Sequence, residues 1–256
     1  MFEFGSILDY LNEVLFNLFH LKHNNKIRGA VLVNQVYFTA IQSMTYVFFI
    51  SSISSVLLVF IFLNFMTGTS ISWLYEILIF VVMRDFAPVA IASVLLLRSG
   101  TAISSEIAAM KTQREVSMLL SIGVSPISYL VTPRIVGMML SSVLMAIIFG
   151  GVGIAAGSII AHVHSSIPFL DFINDFTTHL TFYDFLSMFV KNILSAFFIA
   201  SICCFQGLQC KEAITEIPQR NILAVTETIA VVFLVNGLFL ILELINSDFI
   251  GYLKYA

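Results

Sequence analysis

The sequence predicts an all-α integral membrane protein, and three observations lead to this fold class. Hydrophobic residues make up 59% of the 256 residues, charged residues make up 11%, and the mean hydropathy is +1.00. Soluble domains contain about 45–50% apolar and about 25% charged residues. The net charge of -3 provides no basic field that could hold nucleic acid. We therefore expect one transmembrane domain over residues 1–256 and no nucleic-acid partner.

Five apolar segments are long enough to cross a membrane, which takes about 20 helical residues. The predicted spans run from Ser43 to Met66, Ile71 to Ile103, Ile127 to Ala161, Phe182 to Phe205 and Ile222 to Ile245. The second and third spans exceed the thickness of a bilayer. We expect them to tilt, to kink or to extend beyond the membrane.

An amphipathic pattern precedes the first span, within residues 1–28. One face is apolar, and the other carries acidic and amide side chains. The apolar residues are Phe4, Ile7, Leu8, Leu11, Leu15, Leu18 and Phe19, and the polar residues are Glu3, Asp9, Asn12, Glu13 and Asn17. This pattern predicts a helix that lies in the membrane interface.

Lysine and arginine are concentrated in alternate connections, and such connections lie on the cytoplasmic side. The basic residues before the first span, between the second and third, and between the fourth and fifth are Lys22, Lys26, Arg28, Lys111, Arg114, Lys211 and Arg220. The connection over residues 162–181 contains none. We therefore expect a cytoplasmic N-terminus and an extracytoplasmic 162–181 connection.

Residues 105–121 combine charge with good helix formers, and Gly123 and Pro126 follow as stop signals. We predict a short amphipathic helix on the cytoplasmic surface. One interpretation is a solvated charged turn. The other is a docking surface for a soluble partner. Its apolar contacts are then Met110, Val116 and Leu120, and its polar rim is Lys111, Arg114 and Glu115.

Arg84 and Asp85 lie well inside the second span, where an ionisable side chain costs at least about 2.5 kcal/mol. Pro88 cannot donate to the Arg84 carbonyl, so a bend is expected at this pair. The two charges either brace that bend within a buried network or act directly in transport.

Arg98 and Glu106 follow Arg84 at spacings that place all three on one stripe of a regular helix. Such a stripe suits phospholipid headgroups, because the planar guanidinium matches phosphate. The alternative for Arg98 is snorkelling to the cytoplasmic surface. In the fifth span, Asn236 and Glu243 share a face and are candidate polar partners across a bundle.

Asp171, Asp175 and His179 recur at every fourth residue of the 162–181 connection. These residue types could bind a divalent metal, as an intramembrane enzyme would require. A polar helix face opposite Phe172 and Phe176 explains the same spacing and is our preferred interpretation. A secondary transporter that uses Arg84, Asp85 and Glu243 is the other alternative.

Three motifs between Arg84 and Arg134 resemble the MlaE/YrbE family, the permease subunits of MCE-type ABC lipid transporters. The family's RELGPV stands here as RDFAPV, GRVGAAIAAELGTMK as LRSGTAISSEIAAMK, and MGVDPIRYLVLPR as IGVSPISYLVTPR. The resemblance implies a homodimeric permease of the bacterial inner membrane that works with an ATPase subunit and an MCE-type lipid-binding protein. It also implies that residues 105–121 are the coupling helix that contacts the ATPase.

The sequence contains no G-x-x-x-x-G-K-[ST] motif, so the energy for transport must come from a separate subunit. We expect a transport permease without a cofactor. The predicted lipid-binding residues are Arg84, Arg98, Glu106 and Asn236.

Overall fold

The structure is a computed structural model that describes residues 7–19, 32–65, 71–165, 168–211 and 213–245. Regular secondary structure within these ranges is helical throughout, without strands. We number the eight helices found there in chain order: α1 (Ile7–Phe19), α2 (Leu32–Phe65), α3 (Trp73–Thr112), α4 (Glu115–Ser121), α5 (Ile127–His164), α6 (Phe169–His179), α7 (Phe182–Leu208) and α8 (Ile214–Glu243).

The described residues form five helices that are long and apolar enough to cross a membrane, namely α2, α3, α5, α7 and α8. This confirms the predicted all-α membrane fold with five spans. The first span begins at Leu32, well before the predicted start at Ser43. Its early polar residues have side-chain partners: Gln35 Nε2 donates to Thr39 Oγ1 at 3.2 Å, and Gln42 Oε1 accepts from an arginine of α3. A paired polar side chain is tolerated within a spanning helix.

Several stretches of these helices are π-helical, with i→i+5 hydrogen bonds. They are Tyr37–Ile41 in α2, Leu78–Phe86 and Leu95–Gly100 in α3, and Ile127–Val131 in α5. A π-helical turn contains more residues than an α-helical turn, so a helical wheel loses its register across it. The predicted common stripe of Arg84, Arg98 and Glu106 assumed a regular α-helix. The structure does not keep that register.

The predicted single helix over 105–121 is wrong in one respect. The second span continues as an α-helix to Thr112, and a separate short helix, α4, begins at Glu115. Between them Arg114 adopts a left-handed conformation with φ 63° and ψ 12°, which interrupts the helical hydrogen bonds. The predicted stop is confirmed at Gly123, whose φ is 79° and which ends α4 with the paired backbone hydrogen bonds of a Schellman motif.

The structure describes the central part of the predicted N-terminal helix as α1. Tyr10 and Val14 are its fully buried residues, and the Tyr10 ring lies 5.2 Å from that of Phe205. Leu15 and Phe16 are exposed and give α1 an apolar outer surface. Its placement in the membrane interface stays a prediction. Residues 1–6 and 20–28 of the predicted helix, with the predicted span end at Met66, lie outside the described residues.

The chain forms two compact units. Unit 1 comprises residues 1–43, 92–142 and 193–232, and unit 2 comprises residues 44–91, 143–192 and 233–256. Each of the five spanning helices contributes residues to both units. Each unit has its own buried core and its own ion pairs. The prediction of one permease domain over residues 1–256 stays a prediction.

Candidate functional site

Five charged side chains of unit 2 form a cluster, which we call the ion-pair cluster. Lys191 Nζ lies 3.0 Å from Asp85 Oδ1 and 3.0 Å from Glu243 Oε1. Arg84 Nη1 lies 3.3 Å from Asp184 Oδ1, and Arg84 Nη2 lies 3.5 Å from Glu243 Oε2. Each cation thus bridges two carboxylates. The cluster connects the second, fourth and fifth spans within this unit.

Pro88 explains why the cluster forms at this point of the second span. A proline has no N–H, so it cannot make the usual i→i-4 bond to the carbonyl of Arg84. The surrounding helix is π-helical over Leu78–Phe86, and Lys191 Nζ donates to the Arg84 carbonyl at 3.1 Å. The ammonium therefore takes a donor role that the proline cannot fill. The helix type thus changes at the place where Arg84 and Pro88 predict a bend, and the bend itself stays a prediction.

Lys191 is the member of the ion-pair cluster that the sequence did not single out. It lies in the fourth span with Asp184 and Ser187 at the spacing i, i+3 and i+7, which defines one helix face. Ser187 Oγ donates to Glu243, and Asp184 also caps its own helix by accepting from the Thr181 N–H at 2.9 Å. The rule that singled out the charges of the second span, that intramembrane charge marks a special site, applies equally to Lys191.

The central side chains of the ion-pair cluster are buried, and aromatic rings lie beside Arg84. The side chains of Lys191 and Glu243 are 1% and 4% exposed. The Arg84 guanidinium lies 5.2 Å from the centre of the Phe80 ring and 5.1 Å from that of Tyr183, both within the range of a cation–π contact. Both cations form ion pairs with carboxylates of the same chain, whereas Arg84 Nε is buried without a hydrogen-bond partner among the described residues. This arrangement supports the interpretation of Arg84 as a brace of the helix bend.

Arg98 has a different environment, in unit 1. Its Nη2 donates to Gln42 Oε1 at 2.8 Å, and its Nη1 donates to Ser43 Oγ at 3.2 Å. The two π-helical stretches Tyr37–Ile41 and Leu95–Gly100 contact each other beside this group. These two hydrogen bonds orient the guanidinium. Half-exposed and oriented, Arg98 can pair with an anion.

The other two predicted lipid-binding residues are placed separately. Glu106 Oε1 lies 2.9 Å from Arg134 Nη2 in unit 1, and this makes it part of an ion pair within the chain. Asn236 is half-buried in unit 2, two turns before Glu243. The candidates Arg84 and Asn236 thus belong to one unit, and Arg98 and Glu106 to the other.

Two of the six predicted coupling residues, Met110 and Glu115, line a groove of about 430 Å³ at α4. Leu120, in the same helix, is half-buried. The role of these residues in coupling stays a prediction. Val116 is buried and supports α4 from inside. Exposed apolar residues of the groove that the sequence analysis did not select are Met118, Ile122 and Tyr129.

The two basic residues of that predicted rim differ in their surroundings. Lys111 Nζ donates to the carbonyl of Leu208 at the C-terminal end of α7, where a cation also interacts favourably with the helix dipole. Arg114 is exposed at the break between α3 and α4. Of the three charged residues of the predicted rim, Arg114 and Glu115 are exposed and Lys111 is half-buried.

The acidic and histidine residues of α6 contact aromatic and acidic side chains of unit 2. Tyr75 Oη donates to Asp175 Oδ2 at 3.4 Å, and the Tyr75 ring stacks on that of His179 at 5.7 Å. His179 Nδ1 lies 3.9 Å from Glu76 Oε1. In the described ranges, no three His, Cys, Asp or Glu residues lie together in a way that could hold a metal ion. The packed face opposite carries Phe172 and Phe176, as predicted.

This architecture, five spanning helices with a buried ion-pair cluster and a short helix in the connection after the second span, is that of a polytopic helical membrane protein. The family model described as Permease MlaE matches residues 32–242. The chain therefore belongs to the MlaE permease family and is a membrane permease of an ABC transporter. The family resemblance seen in the sequence motifs is confirmed.

Named relatives agree with this assignment. The chain is 25% identical over 200 residues to the intermembrane phospholipid transport system permease protein MlaE of Haemophilus influenzae, covering 75% of this chain and 76% of that protein. It is 27% identical over 207 residues to the probable ABC transporter permease protein ycf63 of Pyropia yezoensis, covering 80% and 77%. A probable ABC transporter permease protein of Rickettsia typhi is 25% identical over 162 residues, and the match spans 63% of this chain and 62% of that relative, less than two thirds of its length.

Proposed function

We propose that this chain is the permease subunit of a transporter that moves phospholipid between the inner membrane of a bacterium and an extracytoplasmic MCE-type lipid-binding protein. The observation that carries the proposal is the match to the MlaE permease family over most of the chain, joined by a relative whose name specifies intermembrane phospholipid transport. ATP hydrolysis is assigned to a separate subunit, because the sequence contains no nucleotide-binding P-loop motif.

Arg98 is the residue that we assign to the lipid headgroup. Gln42 and Ser43 orient its half-exposed guanidinium, and the planar fork of N–H donors matches the oxygens of a phosphate. Arg84 and Glu106 already have partners of opposite charge in the chain, and we assign them to holding the helices. Asn236, half-buried in the fifth span, is the second candidate for a polar lipid contact.

The groove at α4 is the surface that we assign to the ATPase subunit. Met118 and Ile122 are 61% and 71% exposed, which is unusual for apolar side chains in a charged connection. Glu115 lies at the groove, and Arg114 precedes it. An apolar centre with a charged rim is the usual composition of a protein interface.

Sidedness and assembly complete the proposal. The lysine and arginine residues of alternate connections support a cytoplasmic N-terminus and α4, with α6 on the opposite side. A homodimer is supported by α8, which is the least buried of the five spanning helices, with 11% of its most apolar window buried. Phe233, Leu234 and Leu238 are among its exposed apolar residues, and a second copy or lipid can cover them.

The proposal is tested by reconstituting the permease with its ATPase subunit in liposomes that contain a fluorescent phospholipid. We expect ATP-dependent transfer of the labelled lipid to a soluble acceptor MCE domain. Transfer that proceeds without ATP, or that responds to an imposed ion gradient instead, contradicts the proposal. Loss of transfer on addition of a chelator, with Mg²⁺ supplied in excess for the ATPase, favours the metal-dependent alternative.

A further inference from the structure

The last turns of α3, residues Thr101–Thr112, carry the connection from the second span to the groove at α4, and one ion pair links them to the third span. Glu106 Oε1 lies 2.9 Å from Arg134 Nη2. The arginine side chain is 8% exposed, whereas that of the glutamate is 57% exposed. The pair therefore consists of a buried cation near the start of α5 and an acid at the surface of α3.

Arg134 depends on this acid. Its second terminal nitrogen, Nη1, is buried and has no hydrogen-bond partner in the part of the chain that the structure describes. An arginine stays protonated when buried, so it cannot escape the cost of burial by losing its charge. Removal of the Glu106 carboxylate leaves that charge uncompensated, and the guanidinium must then move towards water or another acceptor.

A second set of contacts holds the same turns of α3 against α7. Lys111 Nζ donates to the Leu208 carbonyl. A Cβ atom added to Gly207 would lie 2.8 Å from the Ser104 carbonyl oxygen, so the two backbones are in direct contact. Contacts of this closeness leave no room for α3 to slide along α7.

The covalent connection between α3 and α4 is not a continuous helix. The left-handed residue Arg114 joins α3 to α4, and no helical hydrogen-bond ladder continues across it. Displacement of α4 reaches the second span through Arg114 and the third span through residues 122–126, and the Glu106–Arg134 pair ties the ends of these two spans to each other.

We propose that Glu106 and Arg134 are positioning residues for energy coupling. They fix the end of the second span to the third span, so that displacement of α4 by the ATPase moves both spans together. This inference rests on the proposed function. It assigns a role to Arg134 and places Glu106 in coupling, away from the lipid.

The test uses the complete transporter in liposomes with four variants: Glu106→Gln, Glu106→Arg, Arg134→Glu and the double variant with both charge reversals. Two quantities are measured, the binding of the ATPase subunit and the number of ATP molecules hydrolysed per phospholipid transferred. Asp9→Asn, which removes an exposed acidic charge from α1, is the matched control.

Each single variant is expected to bind the ATPase as the parent does but to hydrolyse about 5-fold or more ATP per lipid, the lower end of usual coupling energies. The double variant is expected to recover a ratio within about twofold of the parent, since a restored pair is the signature of a direct interaction. A merely structural role lowers binding and transfer together and leaves the ratio unchanged.

An unchanged ratio in Glu106→Gln overturns the inference, and this variant suffices if Arg134→Glu does not fold, because Glu106 lies at the surface. The inference is also overturned if the double variant folds but its ratio of ATP hydrolysed to phospholipid transferred does not return towards that of the parent. If the parent itself binds no ATPase or transfers no lipid, the proposed function is wrong and the inference falls with it, before any variant is compared.

Discussion

Lys191 Nζ lies 3.1 Å from the backbone carbonyl oxygen of Arg84. Pro88 cannot donate a hydrogen bond to this carbonyl, because proline has no backbone N–H. The same ammonium lies 3.0 Å from Asp85 and from Glu243, and its side chain is 1% exposed. One buried cation therefore completes a broken helical ladder and compensates two acids. The stability of unit 2 should depend strongly on it.

Lys191→Met should lower the free energy of unfolding by about 3–5 kcal/mol, because it leaves buried carboxylates without their cation. Heat- or denaturant-induced unfolding of the protein in detergent measures the change in the free energy of unfolding. Lys211→Met is the control, since Lys211 is exposed and its side chain has no role in the cluster. Adding Glu243→Gln to Lys191→Met should recover part of the loss. A single variant as stable as the Lys211 control contradicts this prediction.

Gly153→Ala should destabilise unit 2 by about 1–3 kcal/mol through overpacking. A Cβ atom at this position would lie 2.8 Å from Ser55 Oγ and 3.1 Å from Ser51 Oγ, whereas a Cβ atom at Gly151 meets nothing within 4 Å. Gly151→Ala is thus a matched control, and it should be neutral or stabilising by about 0.5–1 kcal/mol. Thermal unfolding compares the two.

A second substitution decides whether contact with Ser55 is the cause. Ser55→Ala removes the oxygen that the new methyl group would meet, and that hydroxyl is buried without a hydrogen-bond partner among the described residues. The double variant Gly153→Ala with Ser55→Ala should regain most of the lost stability. Equal effects of alanine at Gly151 and Gly153 would show that the close helix contact is not realised.

Arg98→Ala should weaken phospholipid binding by about 10- to 100-fold, because a charge-assisted hydrogen bond contributes about 1.5–3 kcal/mol. Arg98→Lys should fall between the parent and the alanine variant, since lysine keeps the charge but not the planar pair of donors. Titration of the purified permease with a fluorescent phospholipid gives the affinities.

Arg220→Ala is the control for Arg98→Ala. Arg220 also bonds to neutral amide oxygens, those of Gln206 and Gln209 at 3.3 and 3.2 Å, but it lies in the first turns of α8. Its removal should leave phospholipid binding unchanged. If both variants bind lipid as the parent does, Arg98 is a snorkelling residue and the headgroup site lies elsewhere.

Cysteines introduced at Asn174 in α6 and at Ser121 in α4 should react with membrane-impermeant maleimides from opposite sides of the membrane. The sidedness rule places Asn174 outside and Ser121 in the cytoplasm, and both residues are exposed. Spheroplasts and inside-out vesicles separate the two reactions. Reaction of Ser121→Cys in intact spheroplasts would reverse the topology.

The native cysteines should give little background in this experiment. Cys203, Cys204 and Cys210 are all buried. Burial, with Glu216 nearby, raises the pKa of the Cys210 thiol above its ordinary value. The reactive thiolate is therefore scarce at neutral pH. Labelling of the unmodified chain at neutral pH in the folded state is the control.

Met118→Ala should reduce binding of the ATPase subunit by about 1–2 kcal/mol, about 5- to 30-fold, because it empties an exposed apolar contact at the groove. The thermal stability of the permease should not change, since Met118 is 61% exposed. Phe182→Ala is the control, because Phe182 is 79% exposed at the start of α7, on the side predicted to face away from the ATPase. Pulldown of the ATPase subunit measures both. Equal loss in the two variants would show that the groove is not the docking surface.

The sequence by itself determined the all-α class, the five spans and the membership in a permease family. Long apolar runs specify membrane helices locally, because a backbone in hydrocarbon must satisfy its own hydrogen bonds. Gly123 as a helix stop and the bend at Pro88 also follow from local backbone chemistry. The start of the first span at Leu32 could not be predicted in this way, because the polar residues of that segment acquire hydrogen-bond partners only in the folded chain.

Only the tertiary structure decided which charges meet. Asp85 and Lys191 are far apart in the sequence, and the Arg84 carbonyl receives a donor from another helix. The π-helical turns shift the register between Arg84 and Arg98, so a regular helical wheel could not predict their surroundings. A periodic pattern records the face that one helix presents. The partners on that face depend on how other helices pack, because contacts between distant segments are set by the whole fold.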